Sequence, residues 1–483
     1  MNEQIADWAI LVYMSADRVL ANFAVESLKQ LKRGAGMGII VLAQQASGKE
    51  EAQRYVFDGV SEPDKATNLN SSIEENLLKH IEPAPTPGGI ADPRNLTEFL
   101  KWASQYHAKH RCLFLWGHGY ELLLNDDLAS GENASAGDKA ETAGEKAGRK
   151  YLAPKSLKKG LEDAKPFVGQ LDIIGIDACS LSLVELATEL ADCGKFLIAS
   201  QEDVPDTSFP YEQLLWKIRH TDNRDDVEGI SAAIPGLYAQ SYEDYIVATD
   251  TGMREITLTS LRLGNIAEIT EPLTGLAAAL QSAAFDCARR KTVIAARKAS
   301  RDFALGLFVD LRDFCVRLSQ QLEECELKSA CEAVYKAVDA RGKQACILEN
   351  STRDRNKTGC HGLSIYFPYL TDDAMKQAAQ SLAASGDQRP ALVKGGTNHL
   401  QKARGGQITE IEEDFELSDK FKKTNWVEFI KHGWSVILAA KEPNKLDQHY
   451  SAQQCAINLY SMISDWTPPQ PPQVPQKAAA AIP

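Results

Sequence analysis

The sequence predicts an α/β fold, in which helices cover a mostly parallel central sheet and a mainly helical C-terminal region follows. Short apolar runs alternate with amphipathic segments over the first 210 residues, and helical spacing dominates beyond them. Continuous apolar runs are typical of strands that are buried on both faces. Their alternation with helices is typical of parallel sheets, because each parallel connection needs a crossover.

Six apolar runs predict the strands of this sheet. In chain order they are Ala9–Met14, Gly38–Gln44, Arg54–Phe57, Arg111–Trp116, Leu171–Ile176 and Phe196–Ser200. The segments between them have helical spacing. Helices are predicted over Asn22–Lys32, Asn95–Tyr106, Ser156–Ala164 and Ser182–Leu190. Asp92 and Pro93 fit the cap and the first position of the second helix.

Helical patterns dominate residues 216–465. They predict helices over Val227–Tyr238, Ile266–Gln281, Leu311–Val338, Asp373–Ala384 and Trp426–Lys441. One further strand is predicted at Gly362–Phe367. The tail, residues 466–483, is rich in proline and is predicted to be extended and flexible. The predicted units are therefore 1–215, 216–465 and the tail 466–483.

The segment 125–150 differs in composition from the rest of the first unit. It is rich in Gly, Ala, Ser and charged residues, and Leu128 is its one large aliphatic residue. Such a segment buries too little apolar surface to offset its ordering entropy, so we predict a flexible loop. A loop of this length inside a compact domain is typically functional or a site of processing.

Composition and charge argue against several classes of protein. The 483 residues carry a net charge of −13, which argues against a nucleic-acid-binding surface. No apolar run approaches the ~20 residues that a membrane helix needs, so we expect no membrane partner. The first residues lack the basic and apolar segments of a secretory signal. The ten cysteines form no CxxC pair, which predicts reduced thiols and a cytoplasmic protein.

Two residues that can carry chemistry follow predicted strands. His118 comes after Arg111–Trp116, and Cys179 comes after Leu171–Ile176. If these strands are neighbours, imidazole and thiol face one cleft at the carboxyl edge of the sheet, where a histidine can activate a cysteine nucleophile. The amides of Gly119 and Cys179 would then stabilise an oxyanion. Spacing alone also allows a buried cysteine and an unrelated loop histidine.

Two other His-Gly pairs fit this role less well. His361-Gly362 precedes its predicted strand, so we expect it at the opposite edge of the sheet. His432-Gly433 falls within a helical pattern.

The segments around both candidate residues resemble a known family. The run Gly88–Tyr120, the stretch IGIDACSLSLVELATEL and the stretch LIASQEDVPDTSFPY are similar to clostripain family cysteine peptidases of the caspase-like clan. In that family the base is the histidine of a strand-end HG, and the nucleophile is the cysteine of a strand-end DxC; His118 and Cys179 match these positions. Later segments, Phe308–Phe314 and Gly362–Pro368, extend the resemblance over most of residues 5–370. It implies a caspase-like α/β/α sandwich and a cysteine endopeptidase that acts through a thioester acyl-enzyme.

Two departures from the family pattern concern the walls of the pocket. Tyr120-Glu121-Leu122 stands after the HG pair, where the family often has any residue followed by Gly-Trp. Ser208-Phe209-Pro210-Tyr211 stands where the family usually has Gly-Trp. These changes bear on subsite preference more than on the Cys-His dyad.

The resemblance also implies cleavage after Arg or Lys, with an acidic residue in the pocket for the P1 side chain. Asp177, two residues before the nucleophile, matches the family's acidic position. Glu202, Asp203 and Asp206 follow the next strand, and Asp203 is the residue of these three that we predict to bind substrate. The alternatives are that Asp177 caps a helix near Ser180 and that the three acidic residues form a solvated loop.

The family is often processed into two chains that stay associated. We therefore predict self-cleavage in the flexible loop, after Lys146, Arg149 or Lys150. The alternative is an inert insertion.

The remaining predictions concern partners and cofactors. The expected partners are peptides or proteins with Arg or Lys at P1 and a regulatory protein that restrains or releases the enzyme. No redox or nucleotide cofactor and no metal site are expected, with calcium at Asp126-Asp127 a weak alternative. Two other functions remain open: a caspase-like protease with a different P1 preference, and a non-catalytic binding protein on a protease fold.

Overall fold

The computed structural model describes residues 5–16, 20–46, 51–58, 82–87, 89–120, 123–125, 151–242, 255–354, 359–369, 419–434 and 437. Its strands are β1 (Ala6–Met14), β2 (Ile39–Ala46), β3 (Glu51–Phe57), β4 (Glu82–Pro85), β5 (Ala108–Trp116), β6 (Gly119–Tyr120), β7 (Leu123–Asn125), β8 (Tyr151–Leu152), β9 (Leu171–Asp177), β10 (Gly194–Ala199), β11 (Glu255–Arg262), β12 (Asp302–Phe303), β13 (Phe308–Asp310), β14 (Ile347–Asp354) and β15 (Ser364–Tyr366).

The α-helices of the described residues are α1 (Ala21–Gly34), α2 (Pro93–Ala103), α3 (Pro154–Val168), α4 (Val184–Glu189), α5 (Tyr211–Arg219), α6 (Val227–Ser241), α7 (Ala267–Ala283), α8 (Cys287–Ala299), α9 (Leu311–Ser319), α10 (Glu326–Val338), α11 (Asp419–Lys422) and α12 (Trp426–Glu428). A π-helical turn, Phe429–Trp434, follows the last of them. The predicted cap of α2 is confirmed, because the Asp92 carboxylate accepts from the Arg94 N–H and Pro93 is the first helical residue.

Nine strands form the central sheet, in the spatial order β14-β11-β10-β9-β5-β1-β2-β3-β4. The five central strands, β10, β9, β5, β1 and β2, are parallel, as the sequence predicts. Both borders are antiparallel: β3 and β4 on one side, β11 and β14 on the other. The buried centre is parallel because each of its connections crosses over the sheet.

Successive residues of the central strands feed two separate cores. On β5, Leu113 and Leu115 point to one face, and Cys112 and Phe114 point to the other. Helices α2, α3, α4 and α7 cover the first face, while α1, α5 and α6 cover the second. The layers are therefore α/β/α, as predicted.

The described part of the C-terminal region is mainly helical, as predicted, but it contains five strands where the sequence predicted one. Two of its strands, β11 and β14, continue the central sheet, and three short ones form a separate sheet in the order β12-β13-β15. The predicted helix Leu311–Val338 is two helices, α9 and α10. The predicted helix Asp373–Ala384 and the tail 466–483 lie outside the described residues.

A third sheet, in the order β6-β7-β8, lies where β5 ends. Asn125 pairs with Tyr151, and Leu124 pairs with both Gly119 and Leu152. The two ends of the segment 126–150, which itself lies outside the described residues, are therefore joined beside His118. In the described part of the chain, no helix is long and apolar enough to cross a membrane.

Candidate active site

The register of two neighbouring strands brings the candidate base and nucleophile together. β5 pairs with β9 in parallel, and Trp116 lies opposite Asp177 at their carboxyl ends. His118 and Cys179 each lie two residues beyond that pair. The Gly117 N–H donates to the Asp177 carbonyl oxygen over 3.2 Å, which holds the two chain segments side by side as they leave the sheet. The prediction that both residues share one edge of the sheet is therefore confirmed.

Gly119 packs directly against the backbone of Cys179. A Cβ atom at Gly119 would lie 2.2 Å from the Cys179 carbonyl oxygen and 2.7 Å from its amide nitrogen. Any side chain here would push the two segments apart, so the sequence needs glycine after His118. The Gly119 N–H also donates to the Cys179 thiol, which lowers the pKa of that group.

The Cys179 thiol is half-buried and protonated at neutral pH. Burial raises its pKa to about 12, and the negative charge of Asp203 acts in the same direction. The Val204 N–H donates to Sγ over 3.3 Å and opposes this rise. The resting Cys179 is therefore a thiol rather than a thiolate, so a nucleophilic role for it would require a base.

Asp177 is buried beneath this edge rather than open to solvent, with 3% of its surface exposed. Its Oδ2 accepts from the Ser208 hydroxyl, from the Tyr211 hydroxyl over 2.7 Å and from the Phe209 N–H over 3.3 Å. Burial raises its pKa to about 6, while these donors lower it. The carboxylate orders the segment after β10 and does not cap a helix at Ser180. Its predicted contact with a substrate side chain stays a prediction.

Ser208 links several groups under the site. Its Oγ donates to Asp177 and accepts from Trp116 Nε1 over 2.7 Å, and its carbonyl accepts from the Tyr242 hydroxyl. Its φ of 70° lies in the left-handed region, which favours glycine. Here the departure from the family's Gly-Trp pattern has a physical reading: the serine accepts backbone strain and supplies a buried hydroxyl. Sequence reasoning missed this role, although that same departure was the signal for it.

Of the three predicted acidic residues after β10, Asp203 lies beside Cys179. Asp203 is exposed and lies within hydrogen-bonding reach of the Cys179 thiol, and partial burial of its carboxyl raises its pKa. The neighbouring Glu202 is paired with Arg301 Nη2 over 2.9 Å. No sequence pattern indicated that partner, because Arg301 is 99 residues away. Asp206 is also exposed.

The second His-Gly pair is not at the opposite edge of the central sheet, where the sequence placed it. It precedes β15 of the separate sheet, and the Gly362 N–H donates to the Gln201 side chain over 2.7 Å, next to the acidic loop. His361 Nδ1 lies 3.1 Å from Asp310 Oδ1, and its Nε2 lies 3.1 Å from Arg312 Nη1. The expectation failed because it assigned this strand to the central sheet.

Other predicted site residues lie outside the described residues. They are the processing candidates Lys146, Arg149 and Lys150 and the calcium candidates Asp126 and Asp127. Within the described ranges, no group of three or more His, Cys, Asp or Glu side chains is arranged to hold a metal ion.

Comparison with known proteins places this geometry in a family. The model of the clostripain family, Peptidase_C11, matches residues 12–434. No curated protein matches the chain. A solved secreted C11 cysteine protease from Bacteroides thetaiotaomicron has a TM-score of 0.52 at 14% identity, over 78% of this chain and 97% of that one. An inactive zymogen C11 protease from Parabacteroides distasonis has a TM-score of 0.50 at 16% identity, over 76% of this chain and 94% of that one.

At these identities the structural likeness establishes a shared fold and nothing about substrate. The family model is the stronger finding, because it spans the catalytic loops and most of the C-terminal region. The sheet order, the strand-end histidine and the strand-end cysteine agree with it. The chain belongs to the clostripain family of cysteine proteases.

Proposed function

We propose that this protein is an endopeptidase that cleaves after Arg or Lys with a dyad of His118 and Cys179. The observation that carries the proposal is the packing of Gly119 on the Cys179 backbone, which brings the histidine loop against the nucleophile. Family membership supports the reaction class. The finer assignment of residues and P1 preference is ours.

The reaction follows from the protonated thiol. Cys179 Sγ attacks the scissile carbonyl carbon as His118 takes the thiol proton, and a sulfur–carbon bond forms. The N–H groups of Gly119 and Cys179 donate to the oxyanion of the tetrahedral intermediate. His118 then gives its proton to the leaving amine as the carbon–nitrogen bond breaks, which leaves a thioester. Water, deprotonated by His118, hydrolyses the thioester and restores the thiol.

Asp203 is the residue we propose for binding the P1 side chain. Asp203 is an exposed residue whose carboxylate adjoins Cys179, whereas Glu202 is engaged by Arg301. A guanidinium or ammonium at P1 would pair with Asp203. Asp177 would support the pocket from below, and its direct contact with substrate is the weaker alternative, because its Oδ2 already accepts three hydrogen bonds.

An Asp203→Asn variant tests this assignment with two readouts that move in opposite directions. Turnover of peptides with Arg or Lys at P1 should fall about 10-fold or more, because a charge-assisted contact is lost. Alkylation of Cys179 by iodoacetamide should become faster at pH 8, because the charge that raises the thiol pKa is gone. Asp206→Asn is the matched control, and the assignment fails if both variants behave alike.

A P1 panel separates the proposed function from its alternatives. Peptides with Arg, Lys or Asp at P1 are compared for the unchanged chain and for Cys179→Ala. Turnover of Arg or Lys peptides that disappears in Cys179→Ala supports the proposal. Preference for Asp would identify the caspase-like alternative, and no turnover by the processed chain would favour a binding protein.

We further propose self-cleavage in the segment 126–150, after Lys146, Arg149 or Lys150. The pairing of β7 with β8 supports it, because it brings both ends of the segment to the catalytic edge. Intact mass spectrometry tests it. Fragments that end at one of these residues should appear in the unchanged chain and be absent from Cys179→Ala. Equal clipping of both proteins would overturn self-processing.

Three further proposals concern metal dependence, a regulatory partner and the cellular compartment. The reaction needs no metal, so activity should survive EDTA, and loss that only calcium restores would instead support a site at Asp126-Asp127. A regulatory partner restrains the enzyme, so added cell extract should change its turnover.

The proposed compartment is the cytoplasm, although the similar Bacteroides thetaiotaomicron protease is described as secreted. Fractionation of producing cells decides between the two compartments.

A further inference from the structure

Gln201, the second residue after β10, has a side chain bound entirely by the C-terminal region. It is buried, with 1% of its surface exposed. Its Nε2 donates to Asp310 Oδ2 over 3.0 Å and to the Ser364 hydroxyl over 2.8 Å, and its Oε1 accepts from the Gly362 N–H over 2.7 Å. These partners lie 109 to 163 residues further along the chain. They use both amide protons and the carbonyl oxygen.

The backbone next to Gln201 holds the nucleophile. The Ser180 N–H donates to the Glu202 carbonyl over 3.1 Å, and the Ser182 N–H donates to the Ser200 carbonyl over 2.8 Å. Two residues after Glu202, the Val204 N–H donates to Cys179 Sγ. The loop that carries the cysteine is thus bonded to the segment 200–204, which Gln201 anchors, at the thiol itself and at two residues that follow it.

The anchoring partners are themselves fixed. Asp310 is fully buried, caps α9 by accepting from the Asp313 N–H, and accepts from the His361 N–H over 2.7 Å. Ser182 Oγ donates to the Gly362 carbonyl over 2.7 Å, and the Ser364 N–H donates to the Ser182 carbonyl over 2.9 Å. Leaving the Gln201 amide or one of its buried partners without a hydrogen bond would be costly. The position of Gln201 therefore follows the position of these partners.

We propose that Gln201 is a positioning residue through which the C-terminal region sets the placement of the Val204 N–H at the Cys179 thiol. The inference rests on the proposed catalytic role of Cys179. It makes residues 310 and 362–364 part of the working active site, although they never touch the reacting atoms.

The test measures Cys179 directly in the full chain carrying Gln201→Ala. Brief iodoacetamide treatment over a range of pH, followed by quantification of the alkylated Cys179 peptide, reports how readily the thiolate forms. We expect alkylation at pH 8 to slow by about 3- to 10-fold, with the profile displaced to higher pH, because the Val204 donor is misplaced. With an Arg peptide, kcat should fall by about 10-fold while KM changes less, as for an interaction made in the transition state.

Two further variants protect the test from a folding artefact. Ser364→Ala removes one of the three anchoring bonds and should give a smaller change in the same direction. Ser231→Ala breaks a buried bond of equal kind, between Ser231 and Ser260 over 2.7 Å, and should leave both readouts unchanged.

The proposal is overturned if Gln201→Ala keeps both the alkylation profile and kcat within twofold of the unchanged chain. Should Gln201→Ala fail to fold, Ser364→Ala is judged by the same criterion. Alkylation of Cys179 can be measured without turnover. A chain that cleaves no peptide would therefore contradict the proposed function but would not decide this inference. The alkylation profile would still decide it.

Discussion

The two ends of the central sheet are held in different ways. At the amino ends of the parallel strands, charged side chains pair near the surface: Asp7 with Lys109 over 2.8 Å and with Arg224 over 2.9 Å. At the carboxyl ends, buried hydrogen bonds link the catalytic loops through Asp177, Ser208 and Gln201. Exposed ion pairs contribute little and tolerate movement, whereas each buried bond fixes one geometry. Buried hydrogen bonds thus hold the edge of the sheet where we propose that catalysis occurs.

The largest expected effect is at the contact between the loops that carry His118 and Cys179. It gives the sharpest test of the difference between the two ends of the sheet. Gly119→Ala places a methyl group 2.2 Å from the Cys179 carbonyl oxygen, so one loop must move by about 1 Å. A shift of that size costs about 100-fold in kcat/KM. Steady-state kinetics measures it. Gly264→Ala, whose added Cβ would meet no atom within 4 Å, is the control and should retain activity. Equal activity of both variants would contradict the packing.

Removal of the Ser208 hydroxyl should also damage the catalytic end. Ser208→Ala leaves Trp116 Nε1 without its buried acceptor and removes one of the three donors to Asp177, which costs about 2 kcal/mol of unfolding free energy. Urea unfolding measures the loss. Ser208→Gly should be about 1 kcal/mol more stable than Ser208→Ala, because glycine adopts a φ of 70° without strain. If Ser208→Ala were as stable as the unchanged chain, buried hydrogen bonds would not be what makes the carboxyl ends of the strands differ from the amino ends.

The pH dependence of stability tests the buried charge beneath the site. Burial raises the Asp177 pKa to about 6, so the folded chain binds this proton more tightly than the unfolded chain. The resulting stabilisation is complete below the unfolded pKa near 4 and is lost as the pH rises through about 6. Between pH 7.5 and pH 5 the unchanged chain should therefore gain about 1 kcal/mol relative to Asp177→Asn.

Urea unfolding at both pH values measures this difference. Asp286→Asn is the control, because that exposed helix cap has its pKa lowered by two backbone N–H groups. It should show no such gain on acidification. A flat difference between the unchanged chain and Asp177→Asn would mean that the carboxyl is not desolvated as the fold indicates.

The smallest effect is expected at the amino ends of the strands. Lys109 is 53% exposed, so loss of its pair with Asp7 in Lys109→Ala should lower the free energy of unfolding far less than Ser208→Ala does. Salt should remove most of that cost, because the Debye length falls to about 3 Å at 1 M. Thermal unfolding at low and high salt measures both. A loss as large as that of Ser208→Ala would break the contrast between the two ends.

The sequence predicts the parallel centre and the dyad for the same reason. The runs Arg111–Trp116 and Leu171–Ile176 are apolar except for Arg111 and Asp172, so their strands and the residues that follow them are visible in the pattern. The resemblance to the clostripain family added the pairing of His118 with Cys179. Strand β11 was missed because Thr257, Thr259 and Ser260 interrupt its apolar residues, and β14 was missed because it is largely polar.

The contacts that support the site could not be predicted from local pattern. Gln201 and Arg301 find their partners about 100 or more residues away, and no spacing rule connects such positions. Asp177 illustrates the same limit. Its place two residues before the nucleophile indicated a substrate contact, but its burial against Ser208 and Tyr211 depends on how the segment after β10 folds back.

The order of strands in the central sheet determines how a cut in the segment 126–150 would divide the molecule. Every strand on the β5 side of the centre precedes that segment, and every strand on the β9 side follows it. A single cut would therefore yield a heterodimer whose interface is the seam between β5 and β9, with His118 on one subunit and Cys179 on the other. Each half alone would expose an open strand edge, so refolding of the cut form should be bimolecular and depend on protein concentration, unlike that of the intact chain.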